Sequence, residues 1–118
     1  MEEYPETKGK TTIDPGVLIK IAKLTTMSVP GVSRMAPGLH TVDNLVKKNY
    51  SQGVRIEVEN NTVYAELYVV LRNDTDLFKT GQTIQRKVSR AITEMVGMDV
   101  GQINVHIEDI DYAEPEAA

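Results

Sequence analysis

The sequence predicts an α+β protein: a single two-layer domain whose mainly antiparallel sheet carries two helices packed on one face, in the order (β)-α-(β)-β-β-α-β. Three observations carry that expectation. First, Val54, Ile56 and Val58 alternate with Arg55, Glu57 and Glu59. After Asn60-Asn61, Val63, Ala65, Leu67, Val69 and Leu71 alternate with Tyr64, Glu66, Tyr68, Val70 and Arg72. A period of two, interrupted by a pair of residues that tolerate positive φ, reads as a β-hairpin with one apolar face. Second, Leu77, Gly81, Ile84, Val88, Ala91, Ile92 and Met95 recur at helical steps, which makes an amphipathic helix. Third, 118 residues are enough for one domain with its own core, without disulfide or metal.

The elements follow in order. Residues 1–10 read as a flexible acidic tail, 11–112 as the domain and 113–118 as a second flexible acidic tail. Thr11–Ile13 is a candidate short strand. Asp14-Pro15 announces a helix, because Asp accepts from the first free N–H groups and Pro at the first position loses no hydrogen bond. Val17, Leu18, Ile21 and Leu24 then keep helical spacing to about Ser28, where Val29-Pro30-Gly31 ends the helix. Val32–Met35 reads as extended. Residues 38–53 admit two readings: a short helix with Val42, Leu45 and Val46 on one face, or a loop. The second helix is expected from Asp76, its N-cap, to Val96, with Gly97 closing it. Ile103, Val105 and Ile107 alternate with Asn104, His106 and Glu108 as a last strand.

Charge is unevenly spread. Residues 1–7 and 108–118 hold eight acids and no base, while residues 8–107 carry a net charge of +4. A basic body between acidic ends suits solubilising tails, or a surface for something anionic. There is no cysteine, which excludes thiol catalysis, Cys-based zinc sites, iron–sulfur clusters and disulfides. The opening MEEYPETKGK has no apolar stretch, so no secretory signal is expected. No apolar run approaches the length of a membrane span.

No catalytic, metal or cofactor constellation emerges, and the chain is expected not to be an enzyme. His106 shares a strand face with Glu108, a spacing that could set an imidazole beside a carboxylate, but one His and one carboxylate are too few for zinc. His40 falls in the unassigned loop. Glu57, Glu59, Glu66 and Glu108 share the outer sheet face with Arg55, Arg72 and tyrosines. On a solvated face their pKa values would not be driven apart for acid–base work. No phosphate-cradling glycine motif is present. Gly81 lies on the apolar stripe of the second helix, where a bare position would let helix and sheet approach closely, at about 1 kcal/mol in helix propensity.

Two surfaces remain as candidates for a partner. Lys79, Arg86 and Arg90 are spaced by seven and four and fall on one face of the second helix, with Lys87 beside them. Such a basic stripe is either a solvated face or a docking strip for an acidic protein segment, nucleic acid or lipid headgroups. Tyr64 and Tyr68 lie on the outer sheet face, where they could centre a protein interface, stack nucleic-acid bases, or serve simply as strand formers.

Several blocks, in order, resemble the alkaline shock protein family, the Gls-type envelope stress response proteins of Gram-positive and related bacteria. They are Ile21-Ala22 through Val29-Pro30-Gly31-Val32; Gly53-Val54 opening a strand, followed by Val63 to Leu71; Ile84-Gln85 with Val88; Met95-Val96-Gly97 with Val100; and Ile103-Asn104-Val105-His106-Ile107. The resemblance covers about residues 11–112. The chain departs from the family in having Arg72-Asn73 where Tyr-Gly is common, and residues 38–52 match no family feature. The resemblance implies a non-enzymatic, cofactor-free protein of cell-envelope homeostasis and stress response. It also implies a cytoplasmic location, peripheral at the inner membrane face, with protein partners, one of them membrane-anchored, and homo-oligomers. The alternative is a nucleic-acid-binding α+β module using the basic helix face. It is less favoured, since the chain lacks a GXXG clamp and the aromatic signature of an RNA-recognition sheet.

Overall fold

Two aspartates set where the helices begin. In the computed structural model, which describes residues 8–37 and 50–112, the Asp14 carboxylate accepts the Gly16 N–H at 2.8 Å, and α1 runs Pro15–Met27. Asp76 accepts the Lys79 N–H at 3.0 Å and opens α2, Leu77–Ala91. Each cap replaces an intrahelical partner that the first turn lacks. A π-helical turn, Ile92–Val96, extends α2 to Gly97, whose φ of 77° closes it in the left-handed conformation.

Between and after the helices lie β1 (Val32–Met35), β2 (Tyr50–Ser51), β3 (Val54–Glu59), β4 (Thr62–Arg72) and β5 (Asp99–Asp111). Asn60 and Asn61 take φ values of 52° and 62° and turn β3 into β4 in the two-residue hairpin geometry that needs positive φ at both positions. Gln52 and Gly53 do the same between β2 and β3.

β4 is the middle of the sheet. One edge pairs antiparallel with β3, from Glu59↔Thr62 to Val54↔Leu67, and then with β1, from Met35↔Val69 to Val32↔Leu71. The other edge pairs with β5 along its whole length, Thr62↔Asp99 to Arg72↔Asp111, and this ladder is parallel. The sheet is thus antiparallel in three of its four pairings. Parallel neighbours need a crossover of a dozen residues or more, and α2 with its π turn supplies it. Gly53 sits where β1, β3 and β4 meet. Its carbonyl accepts the Tyr68 N–H at 2.8 Å, and a Cβ there would lie 2.6 Å from the Ala36 carbonyl oxygen.

Both helices cover one sheet face. Leu18, Ile19 and Ala22 of α1 and Ile84 and Val88 of α2 form one core with Val54, Ile56, Val63, Ala65, Leu67, Val69 and Leu71. Burying each large aliphatic side chain contributes about 1.5–3 kcal/mol. Thr26 is fully buried among them and donates its hydroxyl to the Ala22 carbonyl at 2.7 Å, so no polar group is stranded.

Four expectations need correction. Residues 11–13 form no strand and are exposed; three residues with one apolar side chain bury too little to offset their ordering. The last strand begins at Asp99 and ends at Asp111, longer than the alternation shows, because two register shifts in the β4–β5 ladder break the period of two. α2 turns π-helical at its end. Gly81 does not enable close packing, since a Cβ there would meet nothing within 4 Å. The candidate helix with Val42, Leu45 and Val46, and His40, lie outside the described residues; the end of that segment forms β2 and its turn.

Candidate functional site

The outer face of the sheet, opposite the helices, carries a connected polar row. β5 being parallel to β4 sets His106 beside Tyr68 and Asn104 beside Glu66. The His106 ring stacks on Tyr68 with centroids 4.7 Å apart and planes 15° from parallel. Its Nε2 donates to Glu66 Oε1 at 2.6 Å, and Asn104 Nδ2 donates to Glu66 Oε2 at 2.8 Å. Burial pushes the Glu66 carboxyl up, but the hydrogen bonds from Asn104 and His106, with the nearby charges of His106 and Arg55, together hold it below its usual range. The imidazole therefore meets a carboxylate across strands, that of Glu66. Glu108 falls at the register shift between Val69↔Ile107 and Val70↔Asp109.

A second clamp closes the far end of this face. The bulge in β1 between Val32 and Arg34 turns both Ser33 and Arg34 to Asp111 of β5. The Ser33 hydroxyl donates to Asp111 Oδ2 at 2.6 Å, and Arg34 donates through Nε at 3.0 Å and through its terminal nitrogen at 3.2 Å. The hydrogen bonds from Arg34 and Ser33 lower the Asp111 carboxyl, and the Asp111 carboxylate in turn raises the Arg34 guanidinium. The pair links the two strands that flank β4. Asp111, one of the acids near the C-terminal end, is thus fixed within the folded body. Over the described residues acids and bases balance, so the basic body read from the sequence is largely compensated by β5.

The tyrosines are engaged by the same strand. Tyr68 lies against His106, and Tyr64 lies across Gly101, where a Cβ would come within 2.3 Å of its ring. Their rings cover β5.

The helix side is different. Lys79, Arg86, Lys87 and Arg90 are all exposed on α2. Arg90 pairs with Glu94 at 3.0 Å, an exposed pair one turn on, and Arg86 reaches Thr83 at 3.5 Å. The sheet separates these cations from Tyr64 and Tyr68, so the six candidate residues form two surfaces, not one. Between α2 and β5 runs a groove of about 200 Å³, lined by Leu77, Phe78, Gly81, Gln82, Gln85, Val105 and Ile107. Phe78 is 77% exposed. Grooves continue along β5 in both directions, past Arg86, Gly101 and Gln102 at one end and past Glu108, Asp109 and Tyr112 at the other. Sequence reading missed this groove. Phe78, the chain's single phenylalanine, standing off the apolar stripe, was the available signal.

Among the described residues no group of three or more His, Asp or Glu side chains could hold a metal ion. No described helix is long and apolar enough to cross a membrane.

Comparison with known proteins adds the following. The profile of the alkaline shock protein 23 family, described as having a cell envelope-related function, matches residues 3–112. The Bacillus subtilis protein YqhY is 26% identical over 88% of this chain and 78% of its own length. YloU of the same organism is 22% identical over 91% of this chain and 92% of its own. Spy1535 of Streptococcus pyogenes is 29% identical over 86% and 79%. Among solved structures, the C-terminal domain of MamM superposes with a TM-score of 0.50 at 13% identity, covering 80% of this chain and 96% of that domain. At that identity the likeness is one of fold.

Proposed function

Since the chain belongs to the alkaline shock protein 23 family, of cell envelope-related function, we propose that it is a non-enzymatic interaction module of the cell envelope. In this reading it acts as a scaffold in envelope stress response, from the cytoplasmic side, and is brought to the inner membrane face by a protein partner. The observation that carries the reading is the α2 side of the molecule. There an exposed phenylalanine and a partly apolar groove lie beside exposed Lys79 and Arg86. Apolar surface bordered by cations is the composition of a protein interface with an acidic partner segment. The polar groups of the outer face, by contrast, are joined to one another, and the described grooves contain no nucleophile–base pair. A nucleic-acid role is weakened because the Tyr64 and Tyr68 rings lie against Gly101 and His106, which leaves less ring face for bases to stack on.

The test is affinity purification of the tagged full chain from membranes of stressed native cells, with identification of what is retained. Envelope proteins retained by the wild type and lost with Lys79→Glu/Arg86→Glu support the reading. A chain found only in the cytosolic fraction, with no retained protein, refutes it. Titration of the purified chain with RNA and DNA at several salt concentrations is the second measurement, and no salt-sensitive binding is expected.

A further inference from the structure

α1 is apolar on two opposite sides. Leu18, Ile19, Ala22 and Thr26 face the core. Half a turn away, Val17, Lys20, Leu24 and Met27 follow at steps of three and four, which places them within about 80° of one another on the outward side. Val17 is 47% and Leu24 62% exposed, and Met27 and Ile13, just ahead of the helix, are exposed as well. The outward side of a helix packed on a sheet is ordinarily polar. Here the ridge is broken only by Lys20, with Lys23 beside it, and α1 holds no acid. α2 turns Lys79, Arg86 and Arg90 outward in its turn. Both helices lie on the same face of the sheet, so their outward sides form one face of the molecule. Charge is separated between the two layers. The helices and the π turn carry six bases and one acid, Glu94, whereas the five strands carry seven acids and three bases.

From this we infer that the helical layer docks directly on the surface of an anionic lipid bilayer, with Val17, Leu24 and Met27 of α1 seated among the headgroups and Lys20 and Lys23 against lipid phosphates. An interface of that kind rewards apolar side chains and cations on one helix side together. A nucleic-acid backbone would meet the cations but gain nothing from Leu24. In a protein groove Lys20 would be buried at the centre of the ridge and would need a matching acid, whereas at a lipid interface its stem lies on the apolar surface and its ammonium reaches the headgroups. The charge separation sets the orientation: the basic layer is drawn to the anionic surface and the acidic sheet is turned away from it. No described helix can cross a membrane, so the contact is one of surface. Each cation near such a surface strengthens binding about fivefold, and the ridge is short, so attachment through it is reversible and firm anchoring takes a second signal. This goes beyond the proposed function, in which a protein partner brings the chain to the membrane, and does not depend on it.

The experiment is flotation of the purified full-length chain with vesicles of phosphatidylglycerol and phosphatidylcholine in equal parts, and with vesicles of phosphatidylcholine alone, at low and at physiological salt. The wild type is expected to float with the anionic vesicles, to be released as salt rises, and to stay behind with the neutral ones. Lys20→Glu is expected to lower the partition coefficient about tenfold or more. Val17→Gln/Leu24→Gln, which keeps the charge and suits a helix, is expected to lower it about tenfold. These side chains are exposed, so each variant is expected to fold like the wild type by circular dichroism. A chain that ignores anionic vesicles overturns the inference, as does binding that either variant leaves unchanged. If vesicles are ignored while Val17→Gln/Leu24→Gln loses a protein retained from membranes, the ridge is a protein-docking surface and the inference is overturned. The vesicles contain no protein, so the two readings fail separately. A chain that binds vesicles and retains no envelope protein supports the inference and refutes the proposed function; one that retains envelope proteins and ignores vesicles does the reverse.

Discussion

The two exposed sides of this molecule use their side chains in opposite ways. On the outer sheet face, Glu66, Asn104 and His106 bond to one another, Arg34 and Ser33 close on Asp111, and both tyrosine rings lie on β5. On the α2 side, Phe78 projects into solvent and Gly81 faces open space. The only described hydrogen bond from an α2 side chain to the sheet is from Gln85 Nε2 to the Ile103 carbonyl, at 3.0 Å. The difference teaches where to look for a partner. Polar groups already joined to each other offer little new bonding energy, whereas exposed apolar surface beside cations gains by being covered. It also shows what the outer face is for: holding β5 to the rest of the sheet through side chains as well as through the ladder.

Perturbing each side tests the contrast, and the largest effect is expected where the sheet is tightest. Gly53→Ala forces a side chain into a φ of 83° and against the Ala36 carbonyl oxygen. It is expected to cost about 2–3 kcal/mol, read as a lowered urea midpoint. Gly101→Ala displaces the Tyr64 ring, which can swing outward, so a smaller loss of about 1 kcal/mol is expected, accompanied by a change in tyrosine fluorescence. The matching change on the other side has the opposite sign. Gly81→Ala meets nothing, and removing a helical glycine is expected to stabilise by about 0.5–1 kcal/mol. A destabilising Gly81→Ala would mean that α2 sits closer to the sheet than described.

A pH series separates the sides further. Glu66 and Asp111 both have carboxyls lowered in the folded chain. The unfolded chain therefore binds protons at higher pH than the folded one. The stability these groups contribute is fully present above the ordinary carboxylate range and is lost as pH falls through their lower folded values, below about pH 4. Urea midpoints are expected to decline in that window, and Glu66→Gln to flatten part of the decline. Arg34 is raised by the same pair with Asp111, so on the alkaline side that contribution persists and would be lost only in strong alkali. The smallest effect is expected at Phe78→Ser, within about 0.5 kcal/mol in stability, because the ring is already 77% exposed. A large loss there would remove the contrast between the two sides.

Much of this was legible along the chain. The alternation from Val54 to Leu71, the Asn60-Asn61 turn, the Asp14 and Asp76 caps and the Gly97 stop each express a local rule, and each stands where the rule puts it, except that Val58 is exposed and Val70 is buried against the period. The exposure of Lys79, Arg86, Lys87 and Arg90 also followed from the helical period. The pairing of His106 was not legible, because a period of two says which face a side chain takes and nothing about which strand lies beside it.

The sequence by itself determined the two helices, the β3–β4 hairpin and the existence of a last strand, the face most of them bury, and the family to which the chain belongs. These depend on neighbours within a few residues, where spacing and backbone preference suffice. Only the tertiary structure decided the direction of β5, and that direction had consequences. It set Glu66 against His106 and Asn104, brought Asp111 to Arg34, and left the Phe78 groove open among the described residues. Strand order and direction come from how a whole crossover packs on the sheet, and no residue on β5 records it locally.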